Sequence, residues 1–207
     1  MIITNNYNKT KMKKIKIPLF PLNIVVFPYE KVPLHIFEPR YKKMISESIE
    51  NDTPFGIVLN NNGSVDSIGC SLNVTKILKH YKNGEYDLIA TGEKCFQIID
   101  KVKKNDLWIG SIEYIANPIT EDNNILKELQ NKYLELLVRL GKEENFDIYI
   151  ERKISYQFLI GISLPLNLKR SILLLESENE RLLYICDLMD KILSQPIQND
   201  ETIIPNA

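Results

Sequence analysis

The apolar positions of this chain change their period once, near Ile119, and that change divides it into two unlike halves. Before it the pattern belongs to strands. Apolar clusters at 15–20, 24–27 and 32–37 are broken by Pro18, Pro21, Pro28 and Pro33. Prolines this frequent exclude a long helix and restrict any strands to short or edge pieces. Residues 55–60 form a cleaner apolar run, closed by a loop at Asn60-Asn61-Asn62-Gly63. Residues 67–81 and 86–91 flank Asn83-Gly84, a pair that tolerates positive φ at both positions and predicts a type I′ hairpin turn. Trp108, Gly110, Ile112 and Tyr114 alternate with their neighbours as a strand requires. One helix interrupts this half. Pro39 suits a first helical position, Tyr41, Met44, Ile45, Ser48 and Ile49 follow at helical spacing, and Glu38 precedes them at the positive end of the helix dipole.

After Ile119 the period is helical. Ile125, Leu126, Leu129, Tyr133, Leu136, Leu137 and Leu140 form one stripe, stopped by Gly141. A second helix is expected over 148–160, with Ile150, Ile154 and Phe158 on one face, and a short third one between Pro165 and about Leu175. The last begins at a capping box of Ser177 and Glu180. It buries Leu182, Ile185, Cys186, Met189, Ile192 and Leu193, and ends at Pro196. Strands first and helices after predict an α+β fold with segregated elements, not alternating βαβ units. The division follows: a flexible basic tail at 1–14, a β subdomain at 15–117, a helical subdomain at 118–195 and a flexible tail at 196–207.

Composition narrows the chemistry. The 207 residues carry 26 basic and 27 acidic side chains, a net charge of -1, so there is no global electrostatic drive toward nucleic acid. Lys9, Lys11, Lys13 and Lys14 make the first tail positive; four lysines read as a solvated tail rather than a nucleic-acid or membrane arm. No apolar run approaches the roughly 18 residues needed to span a bilayer, and the N-terminus lacks the apolar core of a secretory signal. Cys70, Cys95 and Cys186 are odd in number and far apart, which describes three reduced thiols rather than a disulfide framework or a zinc knuckle. A cytoplasmic location is expected. With His35 and His80 as the only histidines, no histidine-rich metal site is available, and His80, beside Lys79 and Tyr81, is expected to be exposed. There is neither a P-loop nor a Gly-x-Ser-x-Gly elbow. No catalytic residue, metal or cofactor is expected.

The informative motif is Ile17-Pro-Leu-Phe-Pro-Leu-Asn-Ile-Val-Val-Phe-Pro28 followed by Val32-Pro-Leu-His-Ile-Phe-Glu-Pro-Arg-Tyr41. It resembles the opening of the Lon protease N-terminal, substrate-binding domain family. Ile68-Gly-Cys70, the stretch Gly84 to Gly92, Phe96-Gln-Ile and Leu164-Pro-Leu agree with that family's later blocks. Two positions depart from it: Tyr29-Glu30 stand where the family often has Gly, and Cys95 replaces its basic residue before Phe96. The resemblance implies a PUA-like β-barrel half with one inserted helix, joined to a helical-bundle half. It also implies a relative of the stand-alone forms that lack ATPase and protease domains.

On that basis the chain is expected to be a non-catalytic polypeptide-binding module, recognising unfolded or partner protein segments as an adaptor or recognition protein in protein quality control. An RNA-binding PUA-like domain is the second reading and an uncharacterised enzyme the third. Four motif residues are candidates for binding. Tyr29 follows Phe27-Pro28 in a loop, where an exposed aromatic suits apolar peptide recognition. Glu38 and Arg40 suit a charge-assisted bond at the helix entrance. Tyr41 suits the core. The groove is expected at the joint between the halves, where concave apolar surface collects.

Overall fold

A computed structural model describes residues 15–61, 63–115, 123–142 and 149–194. The expected tails, the period change near Ile119 and the start of the helix expected from residue 148 lie outside the described residues. The strands are β1 (Ile15–Leu22), β2 (Lys31–Ile36), β3 (Phe55–Asn61), β4 (Ser64–His80), β5 (Tyr86–Lys104) and β6 (Leu107–Tyr114). Helix α1 (Pro39–Asn51) is inserted after β2. The helical half holds α2 (Asn123–Arg139), a 3-10 helix (Ser155–Leu159), α3 (Leu166–Leu173) and α4 (Glu178–Leu193). This is an α+β fold with segregated elements.

The sheet is mixed, with order β2-β5-β4-β3-β1-β6 and a further pairing of β5 with β6. β6 thus pairs with both β1 and β5, so five strands form a closed cycle and β2 hangs on the outside of β5. The prolines of β1 fit because its neighbours are offset. Residues 15–19 pair with β6 and residues 19–22 with β3, so among the described residues Pro18 and Pro21 each sit where one flank of the strand has no strand partner. Pro33 lies in β2, which among the described residues pairs on one side only, with β5.

Two expectations are corrected. The β4–β5 turn is not type I′. Only Gly84 has positive φ, at 80°, and Tyr81 N–H donates to Glu85 O at 2.9 Å. The loop is therefore three residues long with a left-handed glycine at its end. Asn83 contributes through its side chain, whose Oδ1 accepts from Glu85 N–H at 3.2 Å. The two-residue geometry occurs instead at Asn105-Asp106, both at positive φ between the paired Lys104 and Leu107. The second correction concerns 148–160, where the described part is not one helix. Ile154 is extended (φ -117°, ψ 134°) and the chain then turns into the 3-10 segment. The Gln157 carboxamide oxygen accepts from the N–H groups of Lys153 and Ile154 at 2.9 and 3.1 Å, replacing the bonds a continuous helix would have supplied.

Among the described residues the buried apolar side chains fall into three groups. One, with Phe20, Ile36, Met44, Ile45, Phe55 and Leu88, joins α1 to the sheet. A smaller one centres on Leu19, Phe96 and Ile112. The largest spans the joint: Val25, Phe27, Ile68 and Cys95 from the strand half pack with Leu129, Tyr133, Tyr156, Phe158, Ile185 and Met189. The halves therefore share a core. The capping box at Ser177 is formed, with reciprocal bonds of 3.2 and 3.3 Å to Glu180. Gly141 ends α2 with φ 64°, while Lys142 N–H reaches Leu137 O at 2.9 Å.

Candidate functional site

A cavity of about 510 Å³ opens at the joint, within the usual size of ligand clefts. The strand half contributes Pro28 and Tyr29, Glu93 and Lys94 on β5, and Tyr114 and Ile115 at the end of β6. The helical half contributes Lys153, Ile154, Tyr156 and Glu178. A second hollow of about 390 Å³ shares Tyr114 and Ile115 as its wall and continues between β4–β6 and residues 173–176.

Tyr29 stands at the rim because the loop that carries it is clamped to β5. Tyr29 N–H donates to Gly92 O at 2.8 Å and Gly92 N–H to Glu30 O at 2.9 Å. A Cβ on Gly92 would meet Phe27 O at 2.2 Å, so only glycine allows this approach. The clamp holds Tyr29 at φ 70° and leaves it 43% exposed. For a residue with a Cβ the left-handed region costs on the order of 1–2 kcal/mol, which surrounding structure must offset. Below it, the Glu30 carboxylate accepts from Phe27 N–H at 2.8 Å and from Lys169 Nζ of α3 at 2.8 and 2.9 Å.

The opposite wall is fixed by buried charge. Glu178 and Arg181 are both buried at the start of α4. Arg181 donates through Nε (3.2 Å) and Nη2 (3.0 Å) to the Glu178 carboxylate and through Nη1 to Leu175 O at 2.7 Å. The same carboxylate accepts from Ser155 Oγ at 2.8 Å and from Ser155 N–H, which orients the 3-10 helix and so Tyr156. The Arg181 guanidinium lies 5.0 Å from the Tyr156 ring centroid. Burial pushes the Tyr156 phenol far above its ordinary range, so it is neutral; its oxygen accepts from Cys95 Sγ at 3.5 Å. A further tie between the halves joins Arg170 of α3 to Asp66, bidentate, with the Nη2 bond at 3.2 Å. Burial raises the Asp66 carboxyl, but the Arg170 bonds and nearby backbone N–H groups outweigh it and leave it below the usual range.

The four sequence candidates are not brought together. Tyr29 lines the cavity; Glu38, Arg40 and Tyr41 do not. Those three brace the entrance of α1. Arg40 donates to the Glu38 carboxylate at 2.6 Å and to Asp106 O, in the β5–β6 turn, at 3.1 Å. Tyr41 is buried with its ring 4.1 Å from that of Phe20. His80 is exposed and stacks on Tyr86 at 4.2 Å. Tyr114, Tyr156, Lys94 and Lys153, which also line the cavity, are not among the binding candidates the sequence offers. Tyr156 was hidden by the period: in a helix facing inward through Ile150, Ile154 and Phe158 it points away, whereas the 3-10 turn buries it. Among the described residues no group of histidine, cysteine and carboxylate side chains is arranged to hold a metal, and no helix is long and apolar enough to cross a membrane.

Comparison with known proteins places this geometry in context. The sequence model of the ATP-dependent protease La (LON) substrate-binding domain matches residues 16–191. The Lon protease of Buchnera aphidicola subsp. Acyrthosiphon pisum (strain APS) is 22% identical over 88% of this chain, and that of subsp. Baizongia pistaciae (strain Bp) is 25% identical over the same share. The chain spans 26% of the length of these relatives. Among solved structures, the Lon N-terminal domain protein from Xanthomonas campestris superposes with a TM-score of 0.64 at 18% identity, covering 88% of this chain and 99% of that one. The N-terminal domain of Mycobacterium avium complex Lon protease gives 0.70 at 16% identity, covering 85% and 98%.

Proposed function

The chain belongs to the ATP-dependent protease La (LON) substrate-binding domain family, and from that premise we propose that it binds unfolded polypeptide segments non-catalytically at the joint cavity. The observation that carries the reading is Tyr29, fixed at φ 70° on the rim of a cavity whose lining includes Tyr114, Ile115, Ile154 and Tyr156. Strain held in place by its surroundings at a concave aromatic surface supports a recognition role. In this reading the strand half, 15–117, is a PUA-like barrel and the helical half, 118–195, a bundle docked on it. The closed cycle of strand pairings supports the first, and the ties of α2 to α4, such as Lys132 to Asp190 at 2.7 Å, support the second. Glu38, Arg40 and Tyr41 contribute by holding α1 rather than by touching peptide. The physiological role is that of an adaptor in protein quality control, in the cytoplasm.

Binding is roughly micromolar or weaker, because ordering a flexible peptide opposes association and the site accepts varied sequences. The proposed contacts are to the apolar part of the lining, Tyr29, Tyr114, Ile115 and Ile154, so added salt changes binding little, whereas RNA retention would weaken steeply with salt. The test is titration of labelled unstructured peptides rich in aromatic and aliphatic residues against the wild type and Tyr29→Ala, with circular dichroism to establish that both are folded. Tyr29→Ala weakens binding several-fold. Absence of wild-type binding at high protein concentration removes the peptide reading; equal binding by both proteins removes Tyr29 from it.

A further inference from the structure

Cys70 of β4 and Cys95 of β5 are direct partners across the antiparallel ladder. Opposed residues in such a ladder have Cα atoms about 4.5 or 5.5 Å apart, depending on the site, and both values fall within the roughly 4.4–6.8 Å that a disulfide accepts. Their side chains leave the sheet on the same face. Both are fully buried and unbridged. They sit beside an irregularity: the register slips between Ser71, opposite Lys94, and Leu72, opposite Gly92. A bulge gives the backbone local freedom to adjust. The third thiol, Cys186, lies on α4.

We propose that Cys70 and Cys95 form a dithiol that peroxide oxidises to an intramolecular disulfide, with Cys95 attacking and Cys70 resolving. The two thiols are inequivalent. The neighbouring Cys70 thiol is the leading influence holding Cys95 below the ordinary thiol range, against burial and with help from the Tyr156 hydroxyl and the Arg181 charge. Burial above all pushes Cys70 well up. The thiolate is the nucleophile, so Cys95 is the attacking sulfur. It takes one oxygen from hydrogen peroxide, breaking the O–O bond, to give a sulfenic acid; the departing hydroxide is protonated to water. Cys70 then attacks the Cys95 sulfur, the S–S bond forms, and the sulfenic hydroxyl leaves with the Cys70 proton as a second water. One peroxide is reduced and two thiols are oxidised. Cys95 lies behind the wall of the joint cavity, because Tyr156 lines the cavity and its hydroxyl touches Cys95 Sγ at 3.5 Å; the thiol itself is fully buried, so peroxide reaches it when that wall opens. Oxidation also removes that bond, so the state of the pair is felt at the cavity wall.

The experiment exposes the full chain, without denaturant, to hydrogen peroxide, then unfolds it in alkylating reagent and maps peptides by mass spectrometry. The expected product has lost two hydrogens, carries a Cys70–Cys95 linked peptide and has Cys186 alkylated. Cys70→Ala leaves Cys95 as a sulfenic acid trapped by a dimedone probe, and Cys95→Ala leaves Cys70 unoxidised. Three alkylated thiols in the wild type, or linkage through Cys186 or between chains, overturn the proposal. Oxidation of Cys70 in Cys95→Ala overturns the assigned order of attack. Where a variant does not fold by circular dichroism, the wild-type map decides.

Discussion

Removing the Glu178 side chain tests the account of the cavity wall most directly. In Glu178→Ala, Arg181 keeps its bond to Leu175 O but loses both bonds to the carboxylate, and Ser155 loses the acceptor of its N–H and its hydroxyl. Arg181 is fully buried, so the bonds it loses to the carboxylate are lost where water does not replace them. Breaking one side of a buried pair costs about 3–5 kcal/mol. A chain of this length loses roughly 2–4 °C of melting temperature per kcal/mol, so a fall of roughly 6–20 °C is expected by thermal denaturation, with a lowered urea midpoint. The double variant Glu178→Leu/Arg181→Met removes both charges and fills the space with apolar atoms. It should be more stable than Glu178→Ala, because replacing a whole buried pair is often neutral or better. A loss under about 1 kcal/mol in the single variant, or a double variant no more stable than the single, refutes the reasoning.

Two further outcomes follow from the same geometry. Gly92→Ala drives a Cβ to 2.2 Å from Phe27 O and should cost about 3 kcal/mol or more, by overpacking and by strain on the paired backbone bonds to Tyr29 and Glu30; urea denaturation with a change under about 1 kcal/mol would contradict the clamp. The folded-state carboxyl of Asp66 is lowered, so its contribution to stability is present above its ordinary value and is lost as pH falls through the lowered one. Urea midpoints across an acid pH series should converge for wild type and Asp66→Asn at the acid end and separate toward neutral, and a constant difference would contradict the assignment.

Much of the fold was legible because it rests on local chemistry. The periods of 2 and 3.6 separated strands from helices, Pro39 marked the start of α1, Gly141 the end of α2, and Ser177 with Glu180 the start of α4. The resemblance carried by residues 17–41 named the family. The local errors are instructive for the same reason. Asn83-Gly84 has the composition of a two-residue turn, yet hydrogen bonding from Tyr81 to Glu85 fixes a three-residue loop. The stretch from 148 to 160 has helical spacing, yet extended Ile154 and the Gln157 carboxamide interrupt it.

What the sequence by itself determined is the class of each segment and the place of Tyr29 in a loop after Phe27-Pro28. Only the tertiary structure decided that this loop closes on Gly92, sixty-odd positions along the chain, and that β6 returns to pair with both β1 and β5. It also decided that Glu178 and Arg181, charged residues in an ordinary first helical turn, turn inward to hold Ser155 and Tyr156, and that Cys70 faces Cys95. The physical reason is common to all four. Caps, turns and periodicity depend on neighbours within about one helical turn and leave a trace in local sequence. Register across a sheet and the burial of a charge depend on which distant segment arrives opposite, and no local pattern records that.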